Sequence, residues 1–290
     1  MKKKRSIGIF LFLVPAVAVF LVFYLVPVLT VFITSFTHWS GLGEFAFAGL
    51  RNYIRLFTYE DFYAALRNLL LWCLITVVFH VPFGGLVAYL LYKKPFGWKF
   101  VRGVFMIPNI IPASAWAIMY MFIFNNDFGV VNGIIRGIGF KDFNLNWFFD
   151  PKSAFAAVTF TWVFFSIVNT LIMLAALKEI PGDIRDAAII DGASSWDMAF
   201  RIDIPMIKPA ISTCMVLSLA GVITQFDVIF ITTRGGPGNK TYNLALMLYD
   251  GIMSYNYGYA NAVAVIMILL GIAIFVISNR LSGLHKEASV

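Results

Sequence analysis

The sequence predicts an all-α, polytopic integral membrane protein with six transmembrane helices. Hydrophobic residues make up 60% of the chain and charged residues only 13%, whereas soluble domains carry about 25% charged residues. Six nearly charge-free stretches are each long enough to cross a bilayer, which takes about 20 helical residues. These stretches are continuous rather than alternating, which excludes barrel strands. No linker or repeat interrupts the chain, so we expect one membrane domain over residues 1–290.

In chain order, the predicted spans are 7–37, 68–92, 103–125, 154–177, 209–232 and 259–279. The first span follows the basic residues at 2–5 and contains Ala16-Val17-Ala18, which resembles a signal-peptidase site. The apolar run nevertheless continues through Ile33, so cleavage would leave an apolar stub. We therefore favour an uncleaved first span over a removed signal peptide.

Basic residues predict the orientation. Of the 22 lysines and arginines, 14 lie at the two termini, in the loop after the second span and in the 178–208 loop, and 8 lie in the other three loops. Cytoplasmic segments carry the excess of basic residues, so both termini and the 178–208 loop are expected in the cytoplasm. A net charge of +7 also occurs in nucleic-acid-binding proteins. In so apolar a chain the membrane surface is the better explanation, and we expect no nucleic acid partner.

The 178–208 loop is unusually acidic for a cytoplasmic loop. It contains six acidic residues against four basic ones: Glu179, Asp183, Asp186, Asp191, Asp197 and Asp203. Acidic groups beside anionic lipid are unfavourable, so a protein partner explains the loop better than an ordinary interfacial position.

Local signals in this loop predict two short helices. Pro181 suits the first position of a helix, and Gly192 suits its end. Ser194 and Asp197 have the spacing of a capping box for a second helix. That helix is expected to run through Phe200 and to end at Pro205.

The stretch RDAAIIDGASSWDMAFRIDIP, Arg185–Pro205, resembles the cytoplasmic signature of binding-protein-dependent ABC importer permeases. The matching residues are Asp186-Ala187-Ala188, then Asp191-Gly192-Ala193, and Pro205 twelve residues later. Two positions depart from the family pattern, because Asp186 replaces glutamate and Ala199 replaces phenylalanine. The resemblance implies a type I importer core whose loop seats coupling helices in a groove of an ATP-binding subunit. The contact residues it implies are Asp186, Ala187, Ala188, Asp191, Gly192, Ala193, Trp196 and Phe200, with the two aromatic residues as buried anchors.

A second resemblance concerns QFDVIFITTRGGPGNKTYNLALMLYD, Gln225–Asp250. It is similar to sugar permeases of the maltose and glycerol-phosphate type and, with the first, covers the six-helix core. This implies passage of an oligosaccharide by alternating access in a bacterial or archaeal cytoplasmic membrane. Implied partners are a second homologous permease subunit, two ATP-binding subunits, an extracytoplasmic solute-binding protein or lipoprotein, the sugar and membrane lipid.

The residues give little support for an enzyme, because no nucleotide-binding motif is present and no serine or cysteine forms an evident nucleophile–base pair with a histidine. We therefore expect no cofactor in this chain, with ATP and Mg bound by a separate partner ATPase. Gly238-Asn239-Lys240-Thr241 is not a phosphate-binding loop, because that motif has glycine directly before the lysine. Cys73 and Cys214 lie in apolar runs and the three histidines are isolated. The residues therefore indicate neither a metal site nor a catalytic group.

The substrate path is expected to use polar and aromatic side chains inside the spans. Asp227 is the main candidate, since intramembrane acids are costly and commonly functional. A position near the outer interface is an equal alternative. Weaker candidates, each equally able to serve as a helix–helix contact, are Gln225, Asn169, Ser166, Thr161, Trp162 and Ser218.

The main alternative is a self-sufficient secondary transporter driven by an ion gradient. Such a protein needs intramembrane ionisable relays and usually has internal repeats. Asp227 alone offers little support for it.

Overall fold

The computed structural model describes residues 12–282 and confirms the all-α membrane fold. In this part of the chain, five helices are long and apolar enough to cross a membrane, and a bent helix pair makes a sixth candidate span. The chain packs as two compact units. One ends at Phe62 and also includes Met247–Ile268, whereas the other contains Tyr63–Leu246 and continues from Leu269.

The first elements are α1 (Phe12–Thr34, π-helical over Leu21–Leu25), β1 (Thr37–His38), β2 (Ala46–Phe47), α2 (Arg51–Thr58) and α3 (Glu60–Lys93, π-helical over Thr76–His80). Next come α4 (Trp98–Met106, extended by a 3-10 turn at Ile107–Ile110), α5 (Ala113–Ile123), α6 (Val130–Gly137), α7 (Ala154–Val163), α8 (Ile167–Glu179) and α9 (Gly182–Ile190). The chain continues with α10 (Ser195–Asp197, continued by a π-helical turn Met198–Asp203 and by Ile204–Met206), α11 (Lys208–Thr224), α12 (Asp227–Thr232), α13 (Leu244–Met253) and α14 (Tyr257–Ser282).

In the first unit, polar side chains hold the chain segment that follows α1. Asn52 donates its side-chain amide to the carbonyls of Ser35 and Thr37, at 2.8 and 2.9 Å. Strand β1 pairs antiparallel with β2, with Thr37 opposite Phe47. Because residue 37 belongs to a strand, the first helix ends before the predicted limit of 37. Residues 7–11 of that predicted span lie outside the described residues.

In the second unit, α8 packs against α3 and α11 at very close range. A Cβ on Gly84 would lie 2.5 Å from Ser166 Oγ, so only glycine fits this crossing. The Thr170 hydroxyl donates to the Gly84 carbonyl at 3.1 Å. Buried apolar side chains of the same three helices and of residues next to them form a core: Val81, Val87, Ala88, Leu91, Met173, Leu174, Leu177, Ile180, Ile207 and Cys214.

Three of the predicted spans are interrupted in the structure, although two of them, Ala154–Glu179 and Lys208–Thr232, still count among the five helices long and apolar enough to cross a membrane. The span predicted at 103–125 bends by 109° between Ile110 and Ala113, where Pro112 lacks an N–H and restricts the residue before it. The span predicted at 154–177 breaks between α7 and α8. The span predicted at 209–232 breaks between α11 and α12. The second span also begins earlier than predicted, at Glu60.

Candidate functional site

A cavity of about 460 Å³ lies where the helix irregularities of the second unit meet. These irregularities are the π-helical part of α3, the 3-10 turn after α4, the α7–α8 break and the α11–α12 break. The lining residues with polar or aromatic side chains are His80, Asn109, Trp162, Phe165, Ser166, Asn169, Ser218, Thr224, Gln225, Phe226 and Asp227.

Side chains from distant parts of the chain satisfy the carbonyls that the breaks release. His80 Nδ1 donates to the Val163 carbonyl at 2.9 Å, and Trp116 Nε1 donates to the Thr161 carbonyl at 2.8 Å. The buried side-chain amide of Asn243 donates to the Gln225 carbonyl. Unsatisfied backbone groups inside a bilayer each cost several kcal/mol, so these bonds stabilise the broken helices.

Asn169 forms a buried polar cluster beside the cavity with one serine from each side. Its side-chain amide donates to Ser166 Oγ at 2.7 Å and to Ser218 Oγ at 2.9 Å. Ser218 Oγ also lies 3.1 Å from Asn169 Oδ1 and donates to it. The cluster links α8 to α11 and places hydroxyl and amide groups at the cavity wall.

The structure brings six of the seven predicted path residues to the wall of this cavity. Thr161 is the exception, because it is fully buried and its hydroxyl donates to the Val158 carbonyl at 2.6 Å. Thr161 acts through its backbone, whose carbonyl bonds Trp116, so its prediction as a lining residue is wrong.

Asp227 is the first residue of α12, directly after the α11–α12 break, and its side chain is exposed to the cavity. A carboxylate is favourable at a helix N-terminus, where backbone N–H groups carry partial positive charge. Asp227 therefore fits the local backbone and remains available to a ligand.

Aromatic rings cover much of the remaining wall. His80 and Trp162 stand edge to face, with ring centroids 5.5 Å apart. The indole N–H of Trp162 is buried and has no hydrogen-bond partner in the described chain. A buried donor without a partner costs about 1–3 kcal/mol, so Trp162 has one unused polar group close to the cavity.

The second candidate region is the loop between α8 and α11, which forms the two predicted short helices. Helix α9 ends in a Schellman motif: the N–H of Gly192 donates to the Ile189 carbonyl and the N–H of Ala193 to the Ala188 carbonyl, at 3.0 and 2.9 Å. Gly192 has φ +80°, as this motif requires.

The capping box predicted for the second helix is present at Ser194 and Asp197. The Ser194 hydroxyl and backbone N–H donate to the Asp197 carboxylate at 2.5 and 3.2 Å, and hold the pKa of Asp197 below its ordinary value. The guanidinium of Arg201, 3.0 Å from the carboxylate, acts in the same direction.

Two boundaries predicted for this loop are wrong. Helix α9 begins at Gly182 with Pro181 as its N-cap residue, so Pro181 is not the first helical residue. The second helix does not end at Pro205, because the π-helical turn Met198–Asp203 continues into Ile204–Met206. A proline is tolerated here because it lies in the first turn of that last segment, where its missing N–H costs little.

The predicted contact residues of this loop are mostly at the surface. Trp196 and Phe200 are 73% and 58% exposed, and their rings stack 5.3 Å apart beside an apolar groove of about 550 Å³. Asp186, Ala187, Asp191 and Gly192 are exposed, whereas Ala188 and Ala193 are half-buried. Ala199, in the place where the family has phenylalanine, is buried.

No group of three or more histidine, cysteine, aspartate or glutamate side chains within residues 12–282 is arranged to hold a metal ion. Cys214 is buried and Cys73 is half-buried, and neither forms a disulfide. The polar groups of both regions are suited to hydrogen bonding and docking.

The sequence matches the family model described as "Binding-protein-dependent transport system inner membrane component" over residues 80–286. The chain belongs to this family. The protein is thus a multi-pass importer permease, and this membership supports the ABC importer over an ion-coupled secondary transporter.

Similar proteins cover nearly all of the permease. It is 32% identical to the probable ABC transporter permease YurN of Bacillus subtilis, over 99% of this chain and all of that protein. It is 29% identical to the trehalose/maltose permease MalF of Thermococcus litoralis, over 96% and 94% of the two chains. For the multiple sugar-binding transport permease MsmF of Streptococcus mutans, identity is 31% and each chain is 93% covered.

The permease also shares its fold with a chain of a bacterial alginate ABC transporter that was crystallised with its periplasmic protein. The TM-score is 0.83 at 21% identity, and 96% of this chain and 95% of the other are covered. This likeness confirms the ABC permease fold.

Some residues of both regions were not predicted from the sequence. His80 and Asn109 line the cavity, and the only sequence signal for them was a polar residue within two positions of a proline in an apolar run. On the loop, Ile189 and Ile190 are 62% and 85% exposed just before Gly192. Two adjacent isoleucines at the end of a short helix in a polar loop were the signal that could have identified them.

Proposed function

We propose that this permease passes a neutral carbohydrate across the membrane through the cavity of the second unit. The observation that carries this proposal is the composition of the wall, where hydroxyl, amide and carboxylate groups alternate with aromatic rings. Sugars bind through hydrogen bonds to their hydroxyls and through contact of their C–H faces with aromatic rings. The names of MalF and MsmF, which refer to trehalose, maltose and multiple sugars, support the same substrate class.

The charge of the wall favours a neutral sugar over an anionic one. Among the described lining residues, Asp227 is the one acidic group, and there is no lysine or arginine. A phosphorylated ligand would bring negative charge next to the Asp227 carboxylate without a cation to compensate. At about 460 Å³ the cavity is within the usual range of about 300–1,000 Å³ for small-molecule sites, which suits a short oligosaccharide.

The energy source in this proposal is ATP, bound with Mg and hydrolysed by two separate ATP-binding subunits. Their contact surface is the 178–208 loop, where exposed Ile190, Trp196 and Phe200 surround the turn at Gly192. Exposed aromatic and aliphatic anchors of this kind dominate the affinity of many interfaces. A second homologous permease and an extracytoplasmic solute-binding protein complete the transporter.

The proposed location is the cytoplasmic membrane of a bacterium or archaeon, with both termini in the cytoplasm. The basic-residue bias supports this orientation. It places the acidic loop on the same side as cellular ATP.

The direct test is uptake by the complete transporter in proteoliposomes. We expect ATP-dependent and binding-protein-dependent entry of at least one of radiolabelled maltose, trehalose or lactose, and no entry of glycerol 3-phosphate. Uptake of glycerol 3-phosphate alone would contradict the neutral-sugar proposal. Sugar uptake driven by an ion gradient in the absence of ATP would contradict the importer mechanism.

The role of the cavity is tested by Asp227→Ala, with Asp227→Asn as the isosteric control. A hydrogen bond to a charged group contributes about 1.5–3 kcal/mol, so Asp227→Ala should lower kcat/KM for uptake roughly tenfold to a hundredfold. Asp227→Asn keeps one acceptor and should lose less. Basal ATP hydrolysis should persist in both. Normal uptake by Asp227→Ala would exclude Asp227 from the path.

A further inference from the structure

A buried ion pair inside the 178–208 loop is not part of the family signature. Arg185 Nη2 lies 2.8 Å from Asp203 Oδ1, and Nε donates to the same oxygen at 2.9 Å. The Asp203 side chain is fully buried and that of Arg185 is only 14% exposed. The pair joins α9 to the π-helical turn of α10 across the Gly192 turn.

Arg185 also contacts two of the membrane helices that form the core near the loop, α8 and α3. Its Nη2 donates to the Leu177 carbonyl at 3.0 Å, within the last turn of α8. Its guanidinium lies over the Tyr92 ring of α3, 4.6 Å from the centroid. A cation is favourable at a helix C-terminus and over an aromatic face, so this one side chain links four elements.

Stability alone does not explain such a pair. Apolar residues of similar volume often stabilise a protein as well as or better than a buried ion pair. Moreover, neither Asp203 Oδ2 nor the buried hydroxyl of Tyr89 makes a hydrogen bond of good geometry in the described chain, and the two side chains interact with each other through a charge interaction and a weak hydrogen bond. Unlike apolar contacts, a charge-assisted hydrogen-bonded pair has a defined geometry. The pair therefore fixes the relative orientation and register of α9 and the π-helical turn of α10.

Helices α8 and α3, which Arg185 contacts, also reach the candidate cavity. Asn169 lies eight residues before Leu177 on α8, which is about 12 Å along the axis. His80 lies twelve residues before Tyr92 on α3, about 18 Å away. Both residues line the cavity.

We propose that the Arg185–Asp203 pair is a positioning pair, which makes the loop rigid with α3 and α8 so that a displacement of the loop by an ATPase reaches the cavity. This inference rests on the proposed function of the loop as the ATPase contact. Beyond that function, the inference identifies Arg185 and Asp203 as the residues that transmit the displacement of the loop to α3 and α8.

The test measures how nucleotide changes access to the cavity, which requires no knowledge of the substrate. Thr224, an exposed residue of the cavity wall, is changed to cysteine in a chain with Cys73→Ala and Cys214→Ala. The complete transporter is then labelled with a membrane-impermeant maleimide, without nucleotide and with ATP plus vanadate. The labelling rate in the otherwise unchanged chain should differ between the two conditions.

The double variant Arg185→Met/Asp203→Val removes the pair without leaving an unpaired buried charge. We expect it to bind the ATPase subunits, but its nucleotide-dependent change in labelling rate should fall at least about fivefold, the lower end of typical coupling between sites. Arg102→Met is the matched control, since it also removes an arginine, but an exposed one on α4 that lies outside the 178–208 loop. Its labelling response should match that of the unchanged chain.

A full labelling response in the assembled double variant would overturn the proposal. If the double variant does not assemble, Arg185→Lys replaces it, because lysine can reach Asp203 but cannot also hold Leu177 and Tyr92 with a planar fork. A reduced response in Arg185→Lys supports the positioning role, and an unchanged response overturns it. Failure of the unchanged chain to bind any ATPase would instead refute the proposed function of the loop.

Discussion

Substitution of Gly192 tests the geometry of the loop most directly. Gly192 has φ +80°, and a Cβ added there would meet no atom within 4 Å. The cost of Gly192→Ala therefore comes from the backbone conformation alone, about 1 kcal/mol. Gly192→Val should cost more because of its branched Cβ. If the ATPase binds only the native turn, 1 kcal/mol weakens binding by up to about fivefold, and the full factor applies where the native turn is the minor conformation of the free loop.

The assay is a titration of the purified ATPase subunit onto the permease complex in nanodiscs. Gly192→Asn should bind almost normally, since asparagine tolerates the left-handed region. Gly182→Ala, in the same loop, is the matched control, because Gly182 has no positive φ and no atom near an added Cβ. Binding by Gly192→Val within twofold of the Gly182→Ala control would refute the requirement for this turn.

Three further predictions concern the membrane region. Reporter fusions after Lys94 should report the cytoplasm and fusions at Asn144 the outside, and the reverse result at both sites would contradict the topology. Trp72→Phe should lower the stability of the complex by about 1 kcal/mol, because Trp72 Nε1 donates to a threonine hydroxyl at 2.9 Å. Trp162→Phe should cost little stability, because the Trp162 N–H has no hydrogen-bond partner in the described chain, but it should lower uptake. Equal losses of Tm in the two variants would contradict this prediction. Asn169→Leu should leave two serine hydroxyls without their amide partner, at about 1–3 kcal/mol for each one left unsatisfied, which would show as a lower Tm; an unchanged Tm would exclude the cluster as a structural link.

The lengths of the apolar runs predicted the number and order of the spans, because crossing a bilayer depends mainly on a local property of the sequence. The breaks in the spans depend on residues far apart in the chain. The break at Gln225 has no proline or glycine next to it and is held by Asn243, and the break after Val163 is held by His80. Only the bend at Pro112 had a local signal.

The loop was more predictable than the cavity for the same reason. Its turn and cap are set by residues within a few positions of each other, such as Ser194 with Asp197. The ion pair between Arg185 and Asp203 spans eighteen residues and two helices, and nothing in the spacing of the signature indicated it. Thr161 was assigned to the wall because its residue type suits a sugar, whereas its position in the fold turns its side chain into the protein.

The side-chain hydrogen bonds that satisfy the free carbonyls at the helix breaks have a consequence for how new substrate specificities arise. Trp116 and Asn243, which hold two of the released carbonyls, are not lining residues of the cavity, while Gln225, Ser166 and Asp227 are. The backbone of the chamber and the chemistry of its wall are therefore encoded at largely separate positions. His80 is the exception, since it lines the cavity and also bonds the Val163 carbonyl. A change at a wall position without such a structural bond, such as Asp227, alters what the chamber recognises without releasing a backbone group into the bilayer, so one scaffold can be adapted to different cargoes by single substitutions at those positions.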